Sequence, residues 1–250
     1  MARSFDVGSS QYLEIDQAVV PNEPFTMAAW AYALDIDNHF SILFLGDKDS
    51  GSDYHVLRMR GGTVGDPIGA CTNDGAAVWA NTSSGFSANT WHHVAGVWSA
   101  TNSRAAFLDG GSKGTNNTPK TVDGEDRVSI GRTGDSTPLY YHDGYVAEAA
   151  FWNVALTDAE IAILAAGFSP LFVRPQNLAA YYPLIRDEDQ DRVGGYDLTA
   201  YNGPSIAAHP PIIYPAPHHI AHVTAPAGAA SSIFADQAIH SLVFGGVTVR

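Results

Sequence analysis

Short apolar stretches alternate with clusters of Gly, Asn, Asp and Ser from the start of the chain to about residue 205. Several stretches carry a β-branched or aromatic residue at every second position, which places those side chains on one face of a strand. Helical periodicity is almost absent, so the pattern predicts an all-β fold of antiparallel strands in two packed sheets. The predicted strands are Ser4–Val7, Tyr12–Ile15, Phe25–Ala33, Ser41–Leu45, Tyr54–Arg60, Ala76–Asn81, Thr90–Ser99, Arg104–Asp109, Arg127–Gly131, Gly144–Asn153 and Leu178–Leu184.

One short helix and one hairpin have clear local signals. Thr157 is a candidate N-cap and Glu160, three residues later, completes a capping box before an apolar stripe that ends at Gly167. Asp109-Gly110-Gly111 follows an apolar pair, and glycine tolerates the positive φ that tight hairpin turns require. We therefore expect a helix after Thr157 and a hairpin at Asp109–Gly111.

The composition changes abruptly near residue 205. From Ile206 onward the only formally charged side chains are Asp236 and Arg250. All-β sandwiches of up to 250 residues are routinely one domain. The chain therefore divides into a β-sandwich at residues 1–205 and an arm at residues 206–250.

The arm is predicted to be extended and apolar. Proline restricts its own φ and that of its predecessor, so the Pro-rich run His209–Pro217 cannot be helical. The arm ends in an apolar hairpin candidate at Ser241–Val249, which must pack on the chain's own sandwich or on a neighbouring subunit, because an exposed apolar strand aggregates. The residues predicted to make these assembly contacts are Tyr214, Phe234, Leu242, Val243, Phe244 and Val247.

Charge and cysteine content exclude several classes of partner. The chain has 26 Asp and Glu against 13 Lys and Arg, a formal net charge of −13, and a surface so acidic repels a phosphate backbone. The single cysteine, Cys71, excludes an intrachain disulfide and is expected to be a buried apolar side chain. Residues 1–7 contain no signal-peptide core, and no stretch is long enough to span a membrane. We expect neither nucleic-acid binding nor membrane insertion.

A series of short motifs occurs in a familiar order along residues 4–200. They are Ser4-Phe5-Asp6, Tyr12–Ile15, Phe25–Trp30, Gly46-Asp47-Lys48, Trp91–Val97, Phe107–Gly110, Ile130-Gly131 and Gly144–Glu148 leading to Asn153–Thr157. With them the chain resembles the concanavalin A-like superfamily, which includes laminin G-like and pentraxin-like domains. The resemblance implies a jelly-roll sandwich of two antiparallel sheets.

Catalytic and zinc motifs are not favoured. Some enzymes of this superfamily are β-glucanases with a Glu-x-Asp-x-x-Glu strand, but Glu14-Ile15-Asp16 is followed by apolar residues where the second Glu would fall. His92 and His93 are adjacent in a predicted strand, so they point to opposite faces and cannot bind one ion together. The sequence therefore favours a protein that binds over an enzyme.

Calcium is the candidate cofactor. It takes several oxygen ligands from carboxylates on flexible loops, and two acidic loops have suitable side chains. The family often has an Asp-Glu pair where this chain has Ala147-Glu148, which puts any calcium site that depends on that Asp in doubt. The candidate ligands are Asp47, Asp49 and Asp53 in the first loop and Asp187, Asp189 and Asp191 in the second.

Aromatic residues in predicted loops and strand ends are candidates for glycan binding. Sugar rings stack on Trp or Tyr while Asp and Asn bind the hydroxyl groups. The segment 135–143 is the preferred ligand rim, and Trp79 is a further candidate. The predicted ligand-binding residues are Trp79, Tyr140, Tyr141, His142 and Asp143.

Three hypotheses for function follow. The first is a bacteriophage virion component, such as a capsid decoration protein or a fibre, because the resemblance implies action outside cells while the chain lacks a visible signal peptide. Its partners would be further copies of itself, capsid or tail proteins, and cell-surface glycans. The second is a calcium-assisted carbohydrate-binding or adhesion module located outside the cell. The third is a carbohydrate hydrolase.

Overall fold

Antiparallel strands in two sheets form the framework of the computed structural model, which describes residues 1–185 and 189–215. The first sheet has the strand order β10-β9-β8-β3-β12-β1-β15 with β13 also paired to β12, and the second has the order β14-β2-β11-β4-β5-β6-β7. The strands of the first sheet are β1 (Ala2–Phe5), β3 (Phe25–Ala33), β8 (Trp91–Ala100), β9 (Ser103–Leu108), β10 (Gly111–Asn116), β12 (Gly144–Trp152), β13 (Leu178–Tyr182) and β15 (Ser205–Ala207). Those of the second are β2 (Tyr12–Ile15), β4 (His39–Gly46), β5 (Tyr54–Arg60), β6 (Pro67–Asn73), β7 (Val78–Gly85), β11 (Arg127–Ile130) and β14 (Thr199–Tyr201).

The predicted two-sheet sandwich is confirmed, and β2, β3 and β5 have the predicted bounds. The predicted strand Ser4–Val7 was displaced, because Asp6 accepts a hydrogen bond from the Gly8 N–H at 2.9 Å and starts a 3-10 turn at Val7–Ser9. Four strands were missed. Two of them, β14 and β15, have three residues each, and β10 contains no apolar side chain, so none of these has a hydrophobic pattern of its own. The fourth, β6, is interrupted by Pro67 and Gly69.

The core lies between the sheets. Phe25 and Trp98 are fully buried there and stack with ring centroids 4.8 Å apart. Alternate residues of β8, such as Ala95 and Val97, point to the other face of the first sheet, where they belong to a second buried cluster. Burial of each large apolar side chain stabilises the fold by about 1.5–3 kcal/mol.

The single described α-helix, α1 (Asp158–Ala165), covers part of the outer face of the first sheet. The capping box predicted between Thr157 and Glu160 is confirmed. Ile161 and Leu164 are buried against that face with Trp152, so both sides of the first sheet are packed. No helix of the described residues is long and apolar enough to cross a membrane.

The predicted hairpin joins β9 to β10. Asp109 and Gly110 both have positive φ, 51° and 74°, as a tight two-residue hairpin turn requires. A side chain at Gly110 would also meet α1, since an added Cβ would lie 2.8 Å from that of Ala165. The helix therefore packs on the turn that the glycine permits.

The outer face of the second sheet has a smaller buried cluster. Phe44, Tyr54 and Val56 pack there around Cys71, which is fully buried. Burial raises the pKa of the Cys71 thiol to about 12. The predicted buried, apolar role of this cysteine agrees with its position.

Residues 205–215 lie on the sandwich itself. β15 pairs with β1, so the predicted boundary at residue 205 falls within a strand. Ile213 then donates its N–H to the Gly167 carbonyl at 2.8 Å and accepts from the Ser169 N–H at 3.0 Å. The predicted hairpin at 241–249 lies outside the described residues, as do the assembly residues Phe234, Leu242, Val243, Phe244 and Val247.

One buried carboxylate fastens this segment. Glu148 lies at a bulge of β12 with φ of +54° and is 2% exposed. The hydroxyls of Tyr181 and Tyr214 both donate to its carboxylate at 2.6 Å, and His209 Nε2 lies 3.2 Å from the same group. Glu148 thus ties β12, β13 and the end of the described chain together.

Removing the Tyr214 hydroxyl should loosen this segment. Hydrogen bonds to charged groups are worth about 1.5–3 kcal/mol. We expect Tyr214→Phe to lower the free energy of unfolding by an amount in that range and to speed amide hydrogen exchange in residues 205–215. Tyr201→Phe is the matched control, because Tyr201 is equally exposed and lies on β14. Equal exchange rates in the two variants would show that the carboxylate does not fasten the segment.

Two core histidines make the fold sensitive to acid. His142 is fully buried between the rings of Phe5 and Phe40, and burial lowers its pKa to about 4. Its Nε2 lies 3.1 Å from the Tyr32 carbonyl, and its Nδ1 has no partner. Burial likewise lowers the pKa of His93 to about 4. A second proton on either ring would have no acceptor.

Stability should therefore fall on acidification. Between pH 6.5 and about 4 the unfolded chain binds protons that the folded chain refuses, so this contribution is complete above pH 6.5 and declines below it. We expect His142→Gln to reduce the loss in unfolding free energy between about pH 7 and about pH 5 by about 2 kcal/mol. Urea denaturation at both pH values measures this. An unchanged loss would mean that folding does not lower the pKa of His142.

Candidate functional site

A depression of about 510 Å³ opens at one end of the sandwich. Three segments meet there: the loop 34–38 between β3 and β4, the turn after β5, and residues 139–141 of the long connection between β11 and β12. The lining residues are Val7, Asp35, Asp37, Asn38, His39, Phe40, Gly61, Gly62, Leu139, Tyr140 and Tyr141.

The floor of the depression depends on a close backbone approach. Gly62 donates its N–H to the Ile36 carbonyl at 2.7 Å. A Cβ at Gly61 would lie 2.4 Å from the Asn38 carbonyl oxygen and 2.5 Å from that of Ile36. Only glycine allows the turn after β5 to lie so close to the loop 34–38.

Tyr140 is the main aromatic group of the rim. It is 40% exposed, and its positive φ of 56° is held by the carbonyl, which accepts the Ser41 N–H at 2.9 Å. The guanidinium of Arg58 lies 3.9 Å from the centre of the ring. Arg58 is in turn fixed, because it donates to the hydroxyls of Ser41 at 3.1 Å and Thr133 at 2.8 Å. The phenol ring is therefore held in place before any ligand arrives.

The acidic residues of the rim have different roles. Asp35 organises the loop, since its carboxylate accepts the N–H groups of Asp37 at 2.9 Å and Asn38 at 3.2 Å. Asp37 is exposed, and its carboxylate makes no hydrogen bond or ion pair with any described residue. The Asn38 amide nitrogen donates to Asp35 at 3.3 Å. The depression thus presents one carboxylate that no described residue binds, together with the Asn38 amide oxygen, on a rim that includes an aromatic ring.

His39 completes this rim as a neutral group. Burial and the nearby charges of Arg58 and Arg60 lower its pKa below the usual value. Its ring centroid lies 5.7 Å from that of Tyr140. At neutral pH it therefore offers an aromatic face without a charge, while its Nδ1 is buried and has no hydrogen-bond partner among the described residues.

Two of the five residues predicted to bind ligand line this depression. Tyr140 and Tyr141 do, whereas His142 is fully buried and faces the core, because the chain turns inward between the rim and β12. Asp143 is beside the rim, where its carboxylate accepts the Val7 N–H at 3.5 Å. The prediction that His142 faces a ligand was wrong.

Trp79 lies elsewhere. It is on β7 and stacks with Arg60, whose guanidinium is 4.2 Å from the ring centre, and with Arg58 at 5.1 Å. Its ring is not part of the lining, although Arg58 links it to Tyr140. Trp79 therefore contacts Arg58, which lies against Tyr140, and is not itself part of the rim.

Sequence reasoning missed the loop 35–39. The run Asp35-Ile36-Asp37-Asn38-His39 follows a predicted strand directly, and such a polar run after an apolar strand is a loop signal. Its proximity to Tyr140, about a hundred positions later, depends on the pairing of β3 with β12 and on the course of the long connection. That pairing is not visible in either segment alone.

The first acidic loop forms a carboxylate cluster in which Asp126 takes the place predicted for Asp53. Oxygen atoms of Asp47, Asp49 and Asp126 lie within 4.8 Å of one another, whereas Asp53 accepts hydrogen bonds from two nearby serines. The donor set suits calcium, which prefers carboxylate oxygens. The ammonium of Lys48, however, contacts Asp126 and lies 3.4 Å from Asp49, so a cation would have to displace it.

The second acidic loop uses its carboxylates within the protein. Asp189 forms a bidentate pair with Arg3 at 2.5 and 2.8 Å. Asp191 accepts four backbone N–H groups, among them those of Tyr181 and Gly194 at 2.8 Å each. Asp187 lies outside the described residues. These contacts order the loop and engage the carboxylates of both described residues within the protein.

Comparisons with known proteins agree with this fold. No curated protein sequence matches the chain. A pentraxin from Limulus polyphemus, described as heptameric, superposes with a TM-score of 0.60 at 15% identity, over 82% of this chain and 94% of the pentraxin. A putative carbohydrate-binding protein from Bacteroides ovatus gives 0.59 at 21%, over 85% of this chain and 61% of that protein. The fourth domain of an arabinanase from Geobacillus stearothermophilus, bound to arabinotriose, gives 0.51 at 18%, over 61% and 71%.

A family model identifies the superfamily of the chain, whereas the structural likenesses show only its fold. The laminin G model described as the concanavalin A-like lectin/glucanases superfamily matches residues 7–162, more than half of the chain. The matched range runs from the turn after β1 into α1 and contains every residue that lines the depression. The chain therefore belongs to the concanavalin A-like lectin/glucanase superfamily.

Proposed function

We propose that this protein is a non-catalytic carbohydrate-binding sandwich that takes a glycan into the depression at the 34–38 loop. One observation carries the proposal: Tyr140, held by Arg58 from beneath, stands beside the free carboxylate of Asp37 and the amide of Asn38. An aromatic face next to a few polar groups matches a sugar ring, which has apolar C–H faces and polar edges.

The rigidity of the rim supports binding. Tyr140 is fixed by its carbonyl and by its ring, and Asp35 holds the loop that presents Asp37. A site that is ordered before the ligand arrives loses less conformational entropy on binding. The putative carbohydrate-binding protein from Bacteroides ovatus and the arabinanase domain with arabinotriose give further support, because they share this fold.

The environment of Glu14 on β2 favours binding over hydrolysis. The strand that would have to supply the catalytic carboxylates is β2, where Glu14 is instead engaged in a buried pair with Arg132 at 2.5 Å and accepts from Ser129 at 2.8 Å. A carboxylate that is buried in such a pair is not exposed to the glycosidic bond of a bound sugar.

A glycan array followed by calorimetry with the selected sugar tests the proposal. We expect Tyr140→Ala to weaken binding about ten-fold, because the stacking face is lost. Tyr201→Ala is the matched control, since both tyrosines are 40% exposed and Tyr201 is not in the lining. An array without any bound glycan would contradict the proposal.

Calcium assistance is tested in the same assay. If the cluster of Asp47, Asp49 and Asp126 holds calcium during recognition, glycan binding will decrease when the ion is chelated. Binding that is equal with calcium and with chelator would contradict a role for the ion and leave the glycan site unaffected.

We further propose that the protein is a virion component, in which residues beyond the sandwich mediate assembly. The sequence after Ile206 supports this, because it carries only two formally charged side chains and many apolar ones. The similar pentraxin, described as heptameric, is a precedent for this fold in an oligomer. Decoration or fibre proteins act outside cells, as glycan recognition would require.

Truncation tests the assembly role. A chain that ends at Pro215 keeps β15 and Tyr214, and residues 1–215 form one compact unit. We expect it to have fewer subunits per particle than the full chain, as measured by size-exclusion chromatography with light scattering. An equal number of subunits in the two chains would contradict assembly through residues 216–250.

The virion role has a separate test. The absence of the protein from purified phage particles by mass spectrometry would contradict it.

A further inference from the structure

The charged side chains that line the depression are of one sign. Asp35 and Asp37 are among its lining residues, and none of the described lining residues is Lys or Arg. His39 also lines it, and burial with two nearby guanidinium groups holds its pKa below the usual value, so it is neutral. A ligand that touches the described lining therefore meets formal charge of negative sign only, while the nearby positive charges belong to side chains outside the lining.

The arginines nearest to the depression are bound to other groups of the protein. Arg58 is 4% exposed, lies against the Tyr140 ring and donates to two hydroxyls. Arg60 stacks on Trp79 at 4.2 Å and donates to Asn81 at 2.8 Å. Arg132 lies 3.5 Å from the hydroxyl of the lining residue Tyr141 but is paired with Glu14. None of these three guanidinium groups lines the depression, so none can form the bidentate pair that a ligand carboxylate would need.

We propose that the depression selects its glycan by charge, accepting rings that carry hydroxyl or protonated amino groups and rejecting rings that carry a carboxylate. This inference rests on the proposed glycan-binding function and names the substrate class. Asp37 is its specificity-determining residue, because its carboxylate is exposed and has no partner in the described part of the chain, while that of Asp35 is used by the loop.

The net charge of the chain acts in the same direction. A formal charge of −13 slows the approach of anionic ligands and favours that of cationic ones. Screening limits this general effect to about 8 Å at physiological salt, so the local carboxylate must account for most of the discrimination. Selection should therefore depend on Asp37 more than on any distant acidic residue.

Three probes test the inference: the trimers of N-acetylglucosamine, glucosamine and galacturonic acid, presented on one array with a broad glycan set. We expect the glucosamine trimer to bind at least as well as the neutral trimer, and more weakly as salt is added, while the galacturonate trimer does not bind. Asp37→Asn should reduce the preference for the amine over the carboxylate about three-fold to ten-fold. Asp123→Asn removes the same charge at an exposed position outside the lining and should leave the preference unchanged.

The outcomes separate the two proposals. Binding of neutral or amino glycans with the expected response to Asp37→Asn supports both. Binding of the galacturonate trimer as tightly as the neutral one, or equal effects of the two Asp→Asn variants, overturns charge selection and leaves glycan binding in place. An array without any bound glycan overturns both.

Discussion

Burial of the first sheet on both faces determines where a binding site can form in this molecule. One face packs on the second sheet around Trp98, and much of the other is covered by α1 and the segment that follows it. Strands that are packed on both faces expose few side chains that could contact a ligand. Recognition is thereby directed to the connections at the end of the sandwich, where the 34–38 loop meets residues 139–141.

Arg58 shows how the second sheet supports that end. A buried guanidinium must find partners, and this one uses two hydroxyls and two aromatic faces, those of Tyr140 and Trp79. Its position couples the rim to β5 and β7, so an error in the register of these strands would move the aromatic face of the rim. The exposed surface of the rim thus consists of loops, but a residue on a strand holds its aromatic ring in place.

The sequence predicts those parts of the fold that have a local hydrophobic pattern. β3 is an almost continuous apolar run and β5 alternates in its second half, and the ends of both are correct, as is the capping box of α1. β10 could not be found this way, because Gly-Ser-Lys-Gly-Thr-Asn forms a strand only when the preceding hairpin places it beside β9. A local hydrophobic pattern identifies most of the strands. Strands without such a pattern form because a neighbouring strand pairs with them.

The site was predictable to a smaller extent. The adjacent tyrosines at 140 and 141 signal an exposed aromatic rim, but nothing in the sequence distinguishes the buried His142 from its polar neighbour Asp143. Likewise Asp126 replaces Asp53 in the acidic cluster because β11 pairs with β4 and brings distant residues to the same edge. Residues far apart in the chain cannot be grouped without the sheet order.

The buried thiol of Cys71 has a practical consequence. It is the one cysteine of the chain, it has no exposed surface, and burial keeps it protonated at neutral pH. Maleimide reagents, which attack thiolates, will therefore leave the folded native protein unmodified. A cysteine introduced at the fully exposed Val64 would then be the sole reactive position, and a fluorophore attached there would follow one defined point on the molecule without prior removal of the natural cysteine.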